Sequence, residues 1–264
     1  MPAELAEARP FFILLAGVVG AVFGSFLNVC ILRWGAEPKQ SVVRPPSRCP
    51  KCGAGLAWYD NIPVLSWLLL RGRCRRCGEP ISIQYPLVEL TTGLLWAFLA
   101  WRYDLSLETL RGAVLGTILL GIALTDVRAY IIPDEFTWGG LVLGLLFAVA
   151  GGFPSLTQAL IGAAVGFGLL WTVGAVGTWM LKQDAMGGGD IKMMAMVGAF
   201  LGWQGVLLTI FLGALLGSLI FVPLALAGRR PLVPFGIFLA LGAAAAYFVG
   251  PALYAWYLGT MGIA

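Results

Sequence analysis

From Met193 through Gly228 the chain runs for 36 residues without a charged side chain. A helix exposed to water needs a polar face, so this stretch has no place on the surface of a soluble fold. As one helix it would be about 54 Å long, nearly twice the roughly 30 Å hydrocarbon core of a bilayer. It is therefore expected to break. Gly202-Trp203-Gln204-Gly205 offers the turn, dividing it into a short helix and a long one. Charged residues are only 11% of the whole chain, against about a quarter in a soluble domain. That excludes a water-soluble enzyme, a disordered tail and a basic nucleic-acid-binding face.

Other apolar runs cover about 11–32, 86–101, 109–125, 136–151, 155–181 and 232–258. The first is too long for a signal-peptide core, and Glu4 and Glu7 precede it, so it is read as a retained span. Lys182 and Lys192 precede the uncharged stretch and Arg229-Arg230 follow it. The positive-inside rule places both groups in the cytoplasm, which requires two crossings between them. On this layout fourteen basic residues lie inside and three, Arg9, Arg102 and Arg111, outside. The expected fold is an all-α polytopic membrane protein of about eight transmembrane helices. Its segments are a first span over 11–32, a cytoplasmic zinc-knuckle domain over 33–85, and a membrane domain over 86–264.

The 33–85 segment holds nine of the 17 Lys and Arg and four of the five Cys. The cysteines form two knuckles, Cys49-Pro-Lys-Cys52-Gly and Cys74-Arg-Arg-Cys77-Gly. Two such turns complete a tetrahedral Cys₄ zinc site, closed by protein ligands and hence structural. Lys51, Arg75 and Arg76 would offset the charge of the thiolates. Two disulfides are the alternative, which a reducing compartment disfavours. Cys30 reads as a small packing residue.

The chain contains no His, which removes Ser-His-Asp and Cys-His catalysis. Ionisable residues at membrane depth are functional by default, and two stand out. Asp126 ends a span in Leu124-Thr125-Asp126-Val127-Arg128, and Asp190 follows Gly187-Gly188-Gly189. Two aspartates sharing a proton can hydrolyse a peptide, one activating water while the other polarises the carbonyl. Gly187 and Gly189 would let backbone approach a substrate closely. Helix-end electrostatics would favour the anion on Asp190 and the acid on Asp126. The plainer readings are a membrane-edge charge for Asp126 and a helix cap for Asp190. Asp134 suits the cap of the next span, and Lys192 an interfacial anchor or a partner for phosphate or carboxylate.

These segments resemble the type 4 prepilin peptidases. The likeness rests on Gly24-Ser25-Phe26-Leu27-Asn28-Val29-Cys30, the two cysteine knuckles, Asn61-Ile62-Pro63-Val64-Leu65-Ser66-Trp67, Tyr85-Pro86-Leu87-Val88-Glu89-Leu90, and the Asp126–Asp134 and Gly187–Lys192 segments. It covers nearly the whole chain. The resemblance implies that Asp126 and Asp190 are the catalytic pair. It implies cytoplasmic-side cleavage of a basic leader from prepilins and pseudopilins, within the lipid bilayer's reach. It also implies N-methylation of the new terminus by S-adenosylmethionine, attached to the cysteine-bearing domain. No dinucleotide-type glycine fingerprint follows a strand here, and the sequence fixes neither the methyl-donor pocket nor an oligomeric state. The alternatives are an intramembrane aspartyl protease of other substrates, a transporter whose aspartates carry cations, and a peptidase that has lost methylation.

Overall fold

The computed structural model describes residues 3–228 and 234–261, so the inside charges Arg229 and Arg230 lie outside the described residues. Among the described residues there is no strand, only the isolated bridges Arg48 to Gly55 and Arg73 to Pro80. The helices are α1 (Ala3–Trp34), α2 (Leu65–Leu69), α3 (Gln84–Tyr103), α4 (Leu107–Ala129), α5 (Asp134–Val149), α6 (Leu156–Leu181), α7 (Gly188–Leu226) and α8 (Phe235–Thr260). Among the described residues, five helices contain stretches long and apolar enough to cross a bilayer: Ala8–Trp34, Leu107–Ala129, Leu156–Leu181, Gly188–Leu226 and Phe235–Tyr257. Large apolar side chains such as Leu14, Phe211 and Trp179 point outward from these helices, as a lipid-facing surface requires.

The chain forms two compact units, Met1–Thr117 and Ile118–Ala264. In the first, α1 and α3 pack along a seam of small residues. A Cβ on Gly20 would stand 2.7 Å from the Trp96 Cβ, and one on Gly24 would stand 2.8 Å from the Glu89 Cα. Lipid supplies no hydrophobic drive between helices, so such close approach replaces it with dispersion contact.

In the second unit the same device joins α6 to α7, where Gly162 and Gly198 meet backbone to backbone, and α7 to α8, where Gly242 meets Thr209 and Gly213. The uncharged stretch breaks as expected, but at one residue. Gly202 has φ 71° and ψ 178°, a region essentially open to glycine alone. Before the break Gly189 packs on Ile132, which also touches Gly236 at the start of α8; after it Gly217 packs on Phe238. Phe221 also meets Phe238 ring to ring. Gly202 itself lies beside Pro154, just before α6. Segments 188–201 and 203–226 therefore run in opposite directions.

The short segment is about 21 Å long. It is enclosed in protein. Met193, Met194, Met196, Val197 and Phe200 are fully buried, because α5 presents Gly140 and Gly144 and α6 presents Gly162 and Gly166 to it.

Candidate active site and metal centre

Asp126 lies in the last turn of α4 and is 5% exposed. Its Oδ2 accepts the Ile237 backbone N–H at 3.1 Å, and the Gly236 N–H also reaches it. Both donors belong to the first turn of α8, where N–H groups lack intrahelical partners. A Cβ on Gly236 would sit 2.9 Å from that same oxygen, so the approach depends on glycine there.

Asp190 lies in the first turn of α7, whose N-cap is Gly187. The capping reading of Asp190 is therefore not what the helix adopts. A Cβ on Gly187 would stand 2.9 Å from the Asp190 Oδ2, and a Cβ on Gly189 2.8 Å from the Ile132 Cβ; one on Gly188 would meet nothing. The two outer glycines of the triplet thus have separate steric reasons. Ile132 bridges the site, touching Gly189 on one side and Gly236 on the other. The two carboxylates interact electrostatically. Asp190 Oδ1 is buried and has no hydrogen-bond partner among the described residues.

The amides of α8 are aimed at Asp126, a feature that appears only when α8 is folded against α4. Asp134 is the first residue of α5 rather than its cap, which is Pro133. Its carboxylate instead pairs with Lys192 Nζ at 2.7 Å. Lys192 is thus engaged by protein, which ties the start of α5 to the start of α7. Sequence reading missed Ile132, Gly236 and Ile237. Pro234-Phe235-Gly236 at the head of a span was the available signal.

In the other unit the cysteine knuckles fold alike. Cys49 N–H donates to Ala54 O and Gly53 N–H to Cys49 O, both at 2.9 Å; Cys74 N–H donates to Glu79 O at 2.8 Å and Gly78 N–H to Cys74 O at 2.9 Å. Gly53 and Gly78 have φ of 68° and 72°, which closes each turn without strain. The four sulfurs lie within 4.8 Å of one another, and Cys49 and Cys77 Sγ are 3.8 Å apart. Sulfurs about 2.3 Å from one tetrahedral zinc stand about 3.8 Å apart, so the cluster fits that ion. None of the four forms a disulfide.

Backbone amides set the thiol chemistry. The Cys52 and Lys51 N–H groups lower the Cys49 thiol below its ordinary value. Those of Cys77 and Arg76 bring Cys74 to about 6. The Glu79 N–H pulls Cys77 the same way, but desolvation and the neighbouring sulfurs outweigh it and push that thiol up to about 12. Full ionisation therefore calls for a cation at the centre. Arg75 does not supply it, since its guanidinium is paired with Asp60 at 2.7 Å. Cys30 is buried on α1, as its packing role requires.

Residues 18–103 match the family described as Bacterial Peptidase A24 N-terminal domain, and residues 113–222 match the Type IV leader peptidase family. Curated relatives carry the name prepilin leader peptidase/N-methyltransferase. One from Neisseria gonorrhoeae is 36% identical, with 86% of this chain and 87% of that protein aligned. One from Aeromonas hydrophila is 36% identical over 97% of each. One from Myxococcus xanthus is 42% identical over 84% of this chain and 65% of its own length. No solved structure matches the chain.

Proposed function

The chain belongs to the type IV leader peptidase family, and from that premise we propose that it removes the leader from prepilins and pseudopilins and then methylates the exposed terminal amine. The approach of Asp126 and Asp190 across Ile132 carries the hydrolytic half. Asp126, held by the α8 amides, takes the base role. It accepts a proton as water attacks the scissile carbonyl, while protonated Asp190 donates a hydrogen bond to the carbonyl oxygen. Collapse of the tetrahedral species breaks the C–N bond as Asp126 passes the proton it took from water to the leaving nitrogen, which returns the pair to its starting state with Asp126 ionised and Asp190 protonated. Gly187 and Gly189 let the Asp190 carboxylate and the Ile132 side chain lie against the backbone of the turn, which positions Asp190.

Membrane placement follows from charge. Arg128 follows Asp126, and Lys182 and Lys192 flank the glycine turn, which puts this end of the bundle at the cytoplasmic face. The reversal at Gly202 supports eight crossings by α1, α3, α4, α5, α6, the two halves of α7, and α8. A prepilin is itself an apolar helix behind a basic leader, so its scissile bond would rest at the same depth. The four cysteines, Cys49, Cys52, Cys74 and Cys77, hold zinc as a structural ion. S-adenosylmethionine supplies the methyl group.

The test is incubation of the purified protein with a prepilin and methyl donor, followed by mass spectrometry of the pilin N-terminus. Leader loss with one added methyl group is expected. An intact prepilin would overturn the proposal, and cleavage without methylation would overturn its second half.

A further inference from the structure

In the unit Met1–Thr117, the short helix α2 turns its apolar face outward. Leu65, Leu68 and Leu69 stand at i, i+3 and i+4, so they share that face, and they are 58%, 57% and 83% exposed. Trp67 points the other way. A Cβ on Gly72 would stand 2.7 Å from its ring, and its Nε1 donates to the Ile81 carbonyl at 3.1 Å. The orientation of α2 is therefore fixed from within, and among the described residues nothing covers the leucine face. A cluster of large apolar side chains left open in this way marks a contact surface.

The charges around it identify the partner. Arg71 and Arg73 follow α2 directly and are exposed, as is Arg76. The 33–85 segment carries nine Lys and Arg against three acidic residues, Glu37, Asp60 and Glu79, and Asp60 is already taken by Arg75. The 3₁₀ turn Trp58–Asn61 packs beside α2 and leaves Trp58 exposed. Leucine and tryptophan next to arginine is the composition of a segment that lies in a lipid headgroup layer. There the apolar face enters the bilayer and the cations meet anionic phosphates.

Hydrogen bonds hold α2 at the depth such a layer requires. Val64, the residue before α2, donates its N–H to Glu89 Oε2 at 2.7 Å. Glu89 is the sixth residue of α3 and is buried, which places it about 8 Å along that helix. The Ser25 hydroxyl of α1 donates to the same carboxylate. On either side of Glu89, Leu87 and Leu90 of α3 are exposed, as lipid-facing side chains are. So α2 lies level with the first turns of α3. Val64 adopts φ 62°, ψ −49°, where a β-branched residue is a true outlier. Strain of this kind persists only where surrounding contacts over-determine it, and here it sits on the residue that Glu89 holds.

We infer that α2 is a membrane-surface anchor: its leucine face enters the headgroup layer of an anionic leaflet, Arg71 and Arg73 bind lipid phosphates, and Glu89 is the positioning residue that holds the helix at that level. The inference rests on the reading that α1 and α3 cross the bilayer with this end at the cytoplasmic face. Four residues, 70–73, separate α2 from Cys74. Among them Gly72 donates its N–H to the Trp67 carbonyl at 2.8 Å and accepts the Ile81 N–H at 2.7 Å. The anchor therefore carries the second cysteine knuckle with it, which keeps the four-sulfur cluster at the membrane surface.

The test replaces Leu69, and separately Leu90, by photoreactive benzoylphenylalanine in the full chain, reconstituted in vesicles of phosphatidylcholine and phosphatidylglycerol. Mass spectrometry then identifies what each probe has bonded to after illumination. Lipid adducts are expected at both positions. Replacing Arg71 and Arg73 by Gln should lower the Leu69 adduct about fivefold or more, the factor that one arginine contributes at an anionic surface. Vesicles of phosphatidylcholine alone should lower it as well, and the Leu90 adduct should stay the same in both cases. Glu89→Ala should also lower the Leu69 adduct, whereas Glu89→Gln, which keeps an acceptor for the Val64 N–H, should retain it. Adducts of Leu69 to protein alone, no adduct there, or a lipid adduct indifferent to the arginines and to lipid charge would overturn the inference. An unchanged adduct in Glu89→Ala would overturn the positioning role. Loss of the lipid adduct at Leu90 would instead overturn the membrane placement of α3, and the inference with it.

Discussion

One added methyl group separates the three glycines before Asp190. At Gly188 it would enter open space, whereas at Gly187 it would strike the carboxylate and at Gly189 the side chain of Ile132. Gly188→Ala is therefore expected to cleave prepilin at the wild-type rate. Gly187→Ala and Gly189→Ala should each lower kcat by about a hundredfold, since displacement of a reacting group by roughly an ångström costs that much. Steady-state cleavage of one prepilin by the three purified variants checks this, and equal rates would refute it. The need for two glycines was legible in the sequence, but which contacts they avoid was not. Ile132, Gly236 and Ile237 come from other elements, and nothing local to Asp190 announces them. Likewise Lys192 looked available for a ligand until α5 brought Asp134 within 2.7 Å of it.

At the scale of the element, α7 is the informative helix. Its uncharged length exceeded what one crossing can use, so a break was readable from composition and bilayer thickness alone. Its neighbourhood, Gly202-Trp203-Gln204-Gly205, was readable too, because turns favour glycine, but not that Gly202 alone makes the break. The burial of its first half was not, since apolar residues on every face suit both lipid and protein surroundings. Gly202→Ala forces a side chain into a region that only glycine adopts with ease, at a cost of about 1–3 kcal/mol. The variant is expected to unfold at lower temperature in detergent while segments 188–201 and 203–226 remain helical by circular dichroism. An unchanged Tm would mean that the reversal does not depend on this residue.

For the whole molecule, the spacing of the cysteines made the four-sulfur cluster of the first unit legible. Zinc analysis is expected to find one ion per chain and a substoichiometric content in Cys49→Ser. Zinc release should also follow pH with a fixed sign. The Cys74 thiol lies at about 6 against an ordinary 9.0. Its contribution is complete above about pH 9 and is lost as pH falls through about 6, so acid should release the ion and alkali should not. A metal reporter dye added across that range reads this directly, and retention of zinc well below pH 5 would contradict it. The central claim concerns the other unit, that Asp126 and Asp190 act as one catalytic pair. The most direct measurement compares leader cleavage by purified wild type, Asp126→Asn and Asp190→Asn, each shown to insert in membranes and to retain zinc. Each substitution should cut the rate by about a thousandfold or more, and near-normal cleavage by either variant would contradict the claim.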